Sequence, residues 1–221
     1  FLYQGNNTLF NRSAWIEGMC GAVKFAPVFP DNPKAGLPMI GGAVNLFSGA
    51  DGALEAILDF KLVTKWKTAA DSLLAARRLA RPDSEVILIV GAGTVGASLY
   101  DAYGAAFPEA RFLVWNRSGE KAVAFCADRE RAEPAADLAE AVEHADIVTS
   151  ATMSTDPLLK GDWFQPGQHI DLIGAYRPDM REVDDVALSR SRIFVDSFET
   201  TIDHIGEMKI PLSTGAIARS D

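Results

Sequence analysis

Val86-Ile87-Leu88-Ile89-Val90, followed at once by Gly91-Ala92-Gly93-Thr94-Val95-Gly96, is the stretch that decides the fold. Five consecutive apolar residues read as a strand covered on both faces, the habit of a parallel sheet. The glycines fit G-x-G-x-x-G, and Val95, Leu99, Ala102, Tyr103 and Ala106 then recur at helical spacing. Such a hexapeptide is weak alone; between an apolar strand and an amphipathic helix it is strong, because its mechanism needs that setting. Gly91 permits the tight turn, Gly93 lets the backbone approach a pyrophosphate, and Gly96 lets helix and strand pack closely. Thr94 and Val95 open the helix, whose free N–H groups and partial positive charge suit an anion.

Downstream the same logic repeats. Strands are predicted at 111–115, 146–150, 169–173 and 192–195, with helices at 119–128 and 135–144. Parallel strands alternating with helices predict an α/β, doubly wound, Rossmann-type sheet over 82–198. Upstream, 22–28, 43–47 and 53–58 read as short strands of a small antiparallel unit, with a proline-rich loop at 29–36. A helix is predicted from Thr64, as its cap, to about residue 80.

The end of the second parallel strand should declare the nucleotide, since an acid there suits the 2′-hydroxyl of NAD and a cation the extra phosphate of NADP. It reads Val114-Trp115-Asn116-Arg117-Ser118, with no acid. NADP(H) is therefore expected, with Arg117 facing the phosphate and Asn116 and Ser118 donating to it; NAD(H) stays possible. Ala151 and Thr152, after the 146–150 strand, are counted with the cofactor-binding residues. A solvated loop arginine is the alternative for Arg117.

Lys24 sits in the apolar run Gly21-Ala22-Val23-Lys24-Phe25-Ala26, where a charge is costly unless it meets a partner or points to solvent. Lys67 and Thr68 are expected in the first turn of the Thr64-capped helix, where ammonium, hydroxyl and free N–H groups would seat a carboxylate. Exposed lysines would look the same.

Composition sets the outer bounds. Of 221 residues, 48% are hydrophobic, and 30 acidic against 21 basic side chains give a formal charge of −9, which repels nucleic-acid phosphates. Cys20 and Cys126 are the only cysteines and the three histidines are far apart, so no metal site is expected and a reducing, cytoplasmic setting is. No run is long and apolar enough for a membrane span, and none reads as a signal peptide. A chain opening at Phe1 suggests that the natural N-terminus lies elsewhere. With no Gly-x-Ser-x-Gly elbow or P-loop lysine, hydride transfer fits best, because there the cofactor supplies the reacting atom.

These residues resemble the ornithine cyclodeaminase and mu-crystallin family. The similarity runs from about Gly21 to Ala216: Val23-Lys24, Gly36-Leu37-Pro38, Thr64 with Lys67-Thr68-Ala69-Ala70, the glycine fingerprint, Trp115-Asn116-Arg117, and Gly174-Ala175-Tyr176-Arg177-Pro178-Asp179-Met180-Arg181-Glu182. The resemblance implies a homodimer whose Rossmann domain is inserted in a smaller α+β substrate and dimerisation domain. That domain would comprise 1–81 and 199–221 here, incomplete at both ends because family members usually extend further. It implies a small imino-acid or amino-acid substrate, with Lys24 as the active-site lysine, and Lys67 and Thr68 where an arginine and its neighbour usually bind the substrate carboxylate. Asp71, one helical turn beyond Thr68, is a further candidate for polarising the imine nitrogen, with a surface or capping role as the alternative. Tyr176 stands where cyclodeaminases carry an aspartate that meets the substrate amine. The implied activity is NADPH-dependent reduction of a cyclic ketimine carboxylate, Δ1-pyrroline-2-carboxylate or Δ1-piperideine-2-carboxylate. An NAD-using ornithine cyclodeaminase and a non-catalytic NADPH-dependent binding protein are the alternatives.

Overall fold

The computed structural model describes residues 2–220, in two compact units, Phe1–Lys67 and Thr68–Asp221. The boundary falls inside one helix.

The first unit is an antiparallel meander of β1 (Leu2–Gln4), β2 (Asn7–Ile16), β3 (Cys20–Val28), β4 (Ala43–Ser48) and β5 (Leu54–Asp59), in that order across the sheet. Strands β3 to β5 follow the apolar runs of the sequence. Strands β1 and β2 carry no such signal: Asn7-Thr8-Leu9-Phe10-Asn11-Arg12 is too polar to stand out, and register with β3 is what orders it, Thr8 opposite Val28 and Ile16 opposite Cys20. Helix α1 (Phe60–Leu79) begins where β5 ends. Here the expected cap is corrected. Asp59, not Thr64, caps the helix, its Oδ1 accepting the Leu62 N–H at 2.8 Å. Thr64 is helical, so Lys67 and Thr68 lie beyond the first turn and share none of its free N–H groups.

The second unit is a five-stranded sheet of β6 (Val86–Val90), β7 (Arg111–Trp115), β8 (Ala132–Pro134), β9 (Ile147–Ser150) and β10 (His169–Leu172). Its order is β10-β9-β6-β7-β8, every pairing parallel. The chain is thus an α/β protein, and the winding reverses between β6 and β9, where such folds open a ligand crevice. Strand β6 is covered on both faces. Ile87 and Ile89 pack with Leu99 and Tyr103 of α2 (Thr94–Ala106), and with Ala69 and Ala76 of α1. Leu88 and Val90 pack on the other side with Leu138 and Val142 of α4 (Leu138–His144) and with Leu159 and Val183. Helix α3 (Gly119–Cys126) adds Ala122 and Phe125 over Val114.

Two expected elements change. The 135–144 helix starts at Leu138, because Asp137 caps it by accepting the Glu140 N–H. The strand expected at 192–195 does not form: Ile193 and Val195 pack against the core, but the backbone joins no ladder among the described residues. Short helices α5 (Asp185–Ser189) and α6 (Phe198–Thr201) and the longer α7 (Gly206–Thr214) complete the unit, with Ile202, Met208 and Ile217 in the β6 core cluster. No helix among the described residues is long and apolar enough to cross a membrane.

Candidate functional site

In the second unit, the glycine turn leaves β6 at the point where the sheet winding reverses. Gly91 has φ +116°, and a Cβ there would stand 3.0 Å from the Ala151 carbonyl oxygen. Its N–H donates to Trp115 O at 2.8 Å, tying the turn to the end of β7. A Cβ on Gly96 would meet the Gly91 oxygen at 2.1 Å and Ile89 Cγ2 at 3.4 Å, so only glycine lets α2 pack this closely. Gly93 faces open space and is the N-cap residue of α2, with no side-chain hydrogen bond to the helix. The first turn, with Thr94 and Val95, therefore presents its amides to whatever anion approaches. A turn that excludes side chains where backbone meets backbone and stays open at Gly93 fits the pyrophosphate of a dinucleotide.

Asn116 already makes two hydrogen bonds within the unit. Its Oδ1 accepts the Ala92 N–H at 3.2 Å and its Nδ2 donates to Ser118 O at 3.1 Å, so it braces the glycine turn against the 116–118 bend. Ser118 is the N-cap residue of α3, and its hydroxyl makes no capping bond. Arg117 is exposed and, among the described residues, forms no hydrogen bond or ion pair.

Opposite the turn, Ala151 and Thr152 follow β9 and are fixed by a carboxylate that the sequence reading quoted without a role. Glu182 is fully buried. Its Oε1 accepts from Ser150 Oγ at 2.5 Å, Thr152 N at 2.7 Å and Thr152 Oγ1 at 2.6 Å. Its Oε2 accepts from Gly174 N at 2.7 Å. Four donors satisfy a charge that would otherwise be costly to bury. Gly174 has no room for a side chain: a Cβ would lie 2.1 Å from Thr152 O. The Glu182 N–H in turn donates to buried Glu207, whose pKa burial pushes up to about 7. A buried acid inside Met180-Arg181-Glu182-Val183 was the available signal.

A second polar cluster lies deeper in this unit. Buried Asp171 accepts from Ser72 Oγ and from Thr149 Oγ1, and Tyr103 OH lies 3.0 Å from Ser72 Oγ. Burial raises the Asp171 pKa, and the charge of exposed Asp71 adds to that rise. Tyr176 is exposed beneath the Arg177 guanidinium.

The first unit gathers the cations. Lys24 is half-buried in β3, its Nζ 4.6 Å from the Phe60 ring centroid and 3.4 Å from Thr64 Oγ1, to which it donates. Among the described residues, Ala26, Val44 and Phe60 are the buried apolar side chains of this unit. Burial first, then the charges of Lys67 and Arg12, hold its pKa below the ordinary lysine value. Lys67 lies one helical turn beyond Thr64 on α1, and Thr68 follows at the fourth position, so the spacing puts all three on one helix face. These polar side chains thus come from β3 and from within α1, not from the helix end. Sequence reasoning missed Arg12 because β2 itself was not legible.

The sequence profile of the ornithine cyclodeaminase/mu-crystallin family matches residues 14–219. A Δ1-pyrroline-2-carboxylate reductase of Paracoccus denitrificans is 50% identical over 98% of this chain and 70% of its own length. The structure of the Thermococcus litoralis Δ1-pyrroline-2-carboxylate reductase in complex with NADH and L-proline aligns with a TM-score of 0.83 at 26% identity, over 98% of this chain and 73% of that one. An archaeal alanine dehydrogenase dimer with bound NAD aligns with a TM-score of 0.89 at 29% identity, over 99% and 68%. With its profile matched over nearly the whole chain, the chain belongs to the ornithine cyclodeaminase/mu-crystallin family.

Proposed function

We propose that this protein reduces a small cyclic ketimine carboxylate, such as Δ1-pyrroline-2-carboxylate or Δ1-piperideine-2-carboxylate, to the cyclic amino acid. The observation that carries the reading is the half-buried Lys24 ammonium, tethered to Thr64 and close in charge to Lys67, in a chain half-identical to a pyrroline-2-carboxylate reductase.

The Gly91–Gly96 turn and the first amides of α2 would hold the phosphates of a nicotinamide nucleotide, which when bound would supply the hydride for the imine carbon. Lys24 and Lys67 neutralise the substrate carboxylate, and Thr68 donates to it. Such charge-assisted bonds contribute about 1.5–3 kcal/mol each. They fix the ring's orientation and leave the positive charge of the protonated imine unopposed, which keeps its carbon electrophilic. Glu182 acts on the crevice indirectly by locking Thr152 and Gly174.

NADPH is the favoured reductant in this reading, because Arg117 is exposed at the end of β7 with its donors uncommitted and no acid stands beside it. The protein works as a homodimer, and the antiparallel unit up to Lys67 forms part of the substrate domain. Tyr176, in place of a carboxylate, weighs against ornithine cyclodeamination. The test is a substrate panel with both nucleotides: the reading expects one NADPH oxidised per pyrroline-2-carboxylate reduced. Ammonia release from ornithine without net nucleotide change would replace it with the lyase. Nucleotide-dependent ligand binding without turnover would replace it with a binding protein.

A further inference from the structure

Three segments of the parallel-sheet unit carry candidate site residues, and one buried carboxylate joins them. Asp171 on β10 accepts from Ser72 Oγ of α1 and, at 2.7 Å, from Thr149 Oγ1 of β9. Because Ser72 gives its proton to Asp171, the 3.0 Å hydrogen bond between Ser72 Oγ and the Tyr103 hydroxyl of α2 is donated by Tyr103, which also reaches Ser72 O at 3.3 Å. All four residues are buried. Each anchor lies close in sequence to a candidate site residue: Ser72 is one helical turn past Thr68, Thr149 stands three residues before Thr152, and Asp171 three before Gly174. The buried apolar residues of α1 in this unit cannot place the helix as closely. Ala69 and Ala76 meet Ile87 and Ile89 with small side chains, which set how near the helix lies but grip its rotation and axial position weakly. A hydroxyl donating to a carboxylate has a defined length and direction, and so fixes both.

We propose that Asp171 is a positioning residue that sets the imino-acid side of the site through Ser72 and the nucleotide side through Thr149. The first bond fixes the turn of α1 that bears Thr68. The second fixes the end of β9, from which Ala151 and Thr152 emerge. This deepens the reductase reading and rests on it.

The test uses the full chain with Δ1-pyrroline-2-carboxylate, NADPH and NADH, and variants that remove one bond at a time. Ser72→Ala, which suits a helix, is expected to raise KM for the imino acid about three- to tenfold while kcat and nucleotide affinity stay within about twofold. Thr149→Val shows the reverse: nucleotide affinity falls by a similar factor and KM stays within about twofold. Asp171→Leu loses on both counts, and Asp171→Asn, whose amide oxygen can accept both hydroxyls, recovers most of each loss. General destabilisation would not divide between the two ligands in this way. Wild-type constants in folded Ser72→Ala and Thr149→Val, or the same losses in both, overturn the proposal. Failure of the reductase reading looks different: the wild type consumes no imine with either nucleotide. Calorimetry with L-proline and each nucleotide then reads the same division. A loss of L-proline affinity in Ser72→Ala but not in Thr149→Val supports the proposal, and any other pattern overturns it.

Discussion

The glycine crevice of the parallel-sheet unit and the cation cluster of the antiparallel unit offer a ligand opposite kinds of contact. In the crevice the useful groups are backbone amides, and side chains matter mainly by being absent: Gly91 and Gly96 each press against a carbonyl oxygen. In the cluster the backbone only spaces the side chains, and Arg12, Lys24, Thr64 and Lys67 supply the polar groups. A backbone site tolerates little change and reads a shared feature, the phosphates. A side-chain site is easily retuned and can read what differs between substrates.

The largest effect should come from crowding the backbone site. Gly96→Ala drives a Cβ to within 2.1 Å of the Gly91 oxygen, and titration with NADPH or NADH should show an affinity loss on the order of a hundredfold. Tight nucleotide binding by a folded Gly96→Ala protein would break the contrast. Lys24→Met comes next: kcat/KM for the imino acid should fall about ten- to a hundredfold, while nucleotide affinity stays within about twofold. A matching loss of nucleotide binding would show that the two regions do not divide the work.

Arg117→Ala sharpens the crevice side. It should weaken NADPH by about tenfold and leave NADH nearly unchanged; equal changes in both would remove Arg117 from the 2′-phosphate. The pH dependence sharpens the cation side. Because the Lys24 pKa is lowered by burial, Lys67 and Arg12, affinity for the acid should decline on the alkaline side before an ordinary lysine would titrate. Lys24→Arg, which stays charged, should move that decline to higher pH.

The smallest effect concerns Glu207. Its folded-state pKa, pushed up by burial to about 7, lies above the 4.5 of an ordinary glutamate, so the folded protein binds more protons between those values, and this contribution to stability declines as pH rises through that window. Glu207→Gln should therefore flatten the fall in Tm from pH 4.5 to 7. An unchanged slope would mean that Glu207 ionises normally.

These contrasts also explain what was legible in the sequence. Strands β6 and β7 could be read to the residue, because Val86–Val90 and Arg111–Trp115 are apolar runs bounded by turns. The glycine turn could be read because its constraint is local. The cation cluster is made by pairing across strands, and Arg12 becomes a neighbour of Lys24 only through the β2–β3 register. The start of α1 was misplaced for a related reason: Asp59 and Thr64 are both good caps, and the strand before them decides which one serves. Glu182 escaped because its four donors come from Ser150, Thr152 and Gly174, segments far from it or from one another in sequence.

The central claim is that this chain passes a hydride from a nicotinamide nucleotide to a carboxylate-anchored imine. Its most direct test supplies NADPH deuterated on the transferred position of the nicotinamide together with Δ1-pyrroline-2-carboxylate, and analyses the proline by mass spectrometry and NMR. One deuterium on Cα, matched by one nucleotide oxidised, is the predicted result. Proline without the label, or no proline while nucleotide and acid both bind, would contradict it.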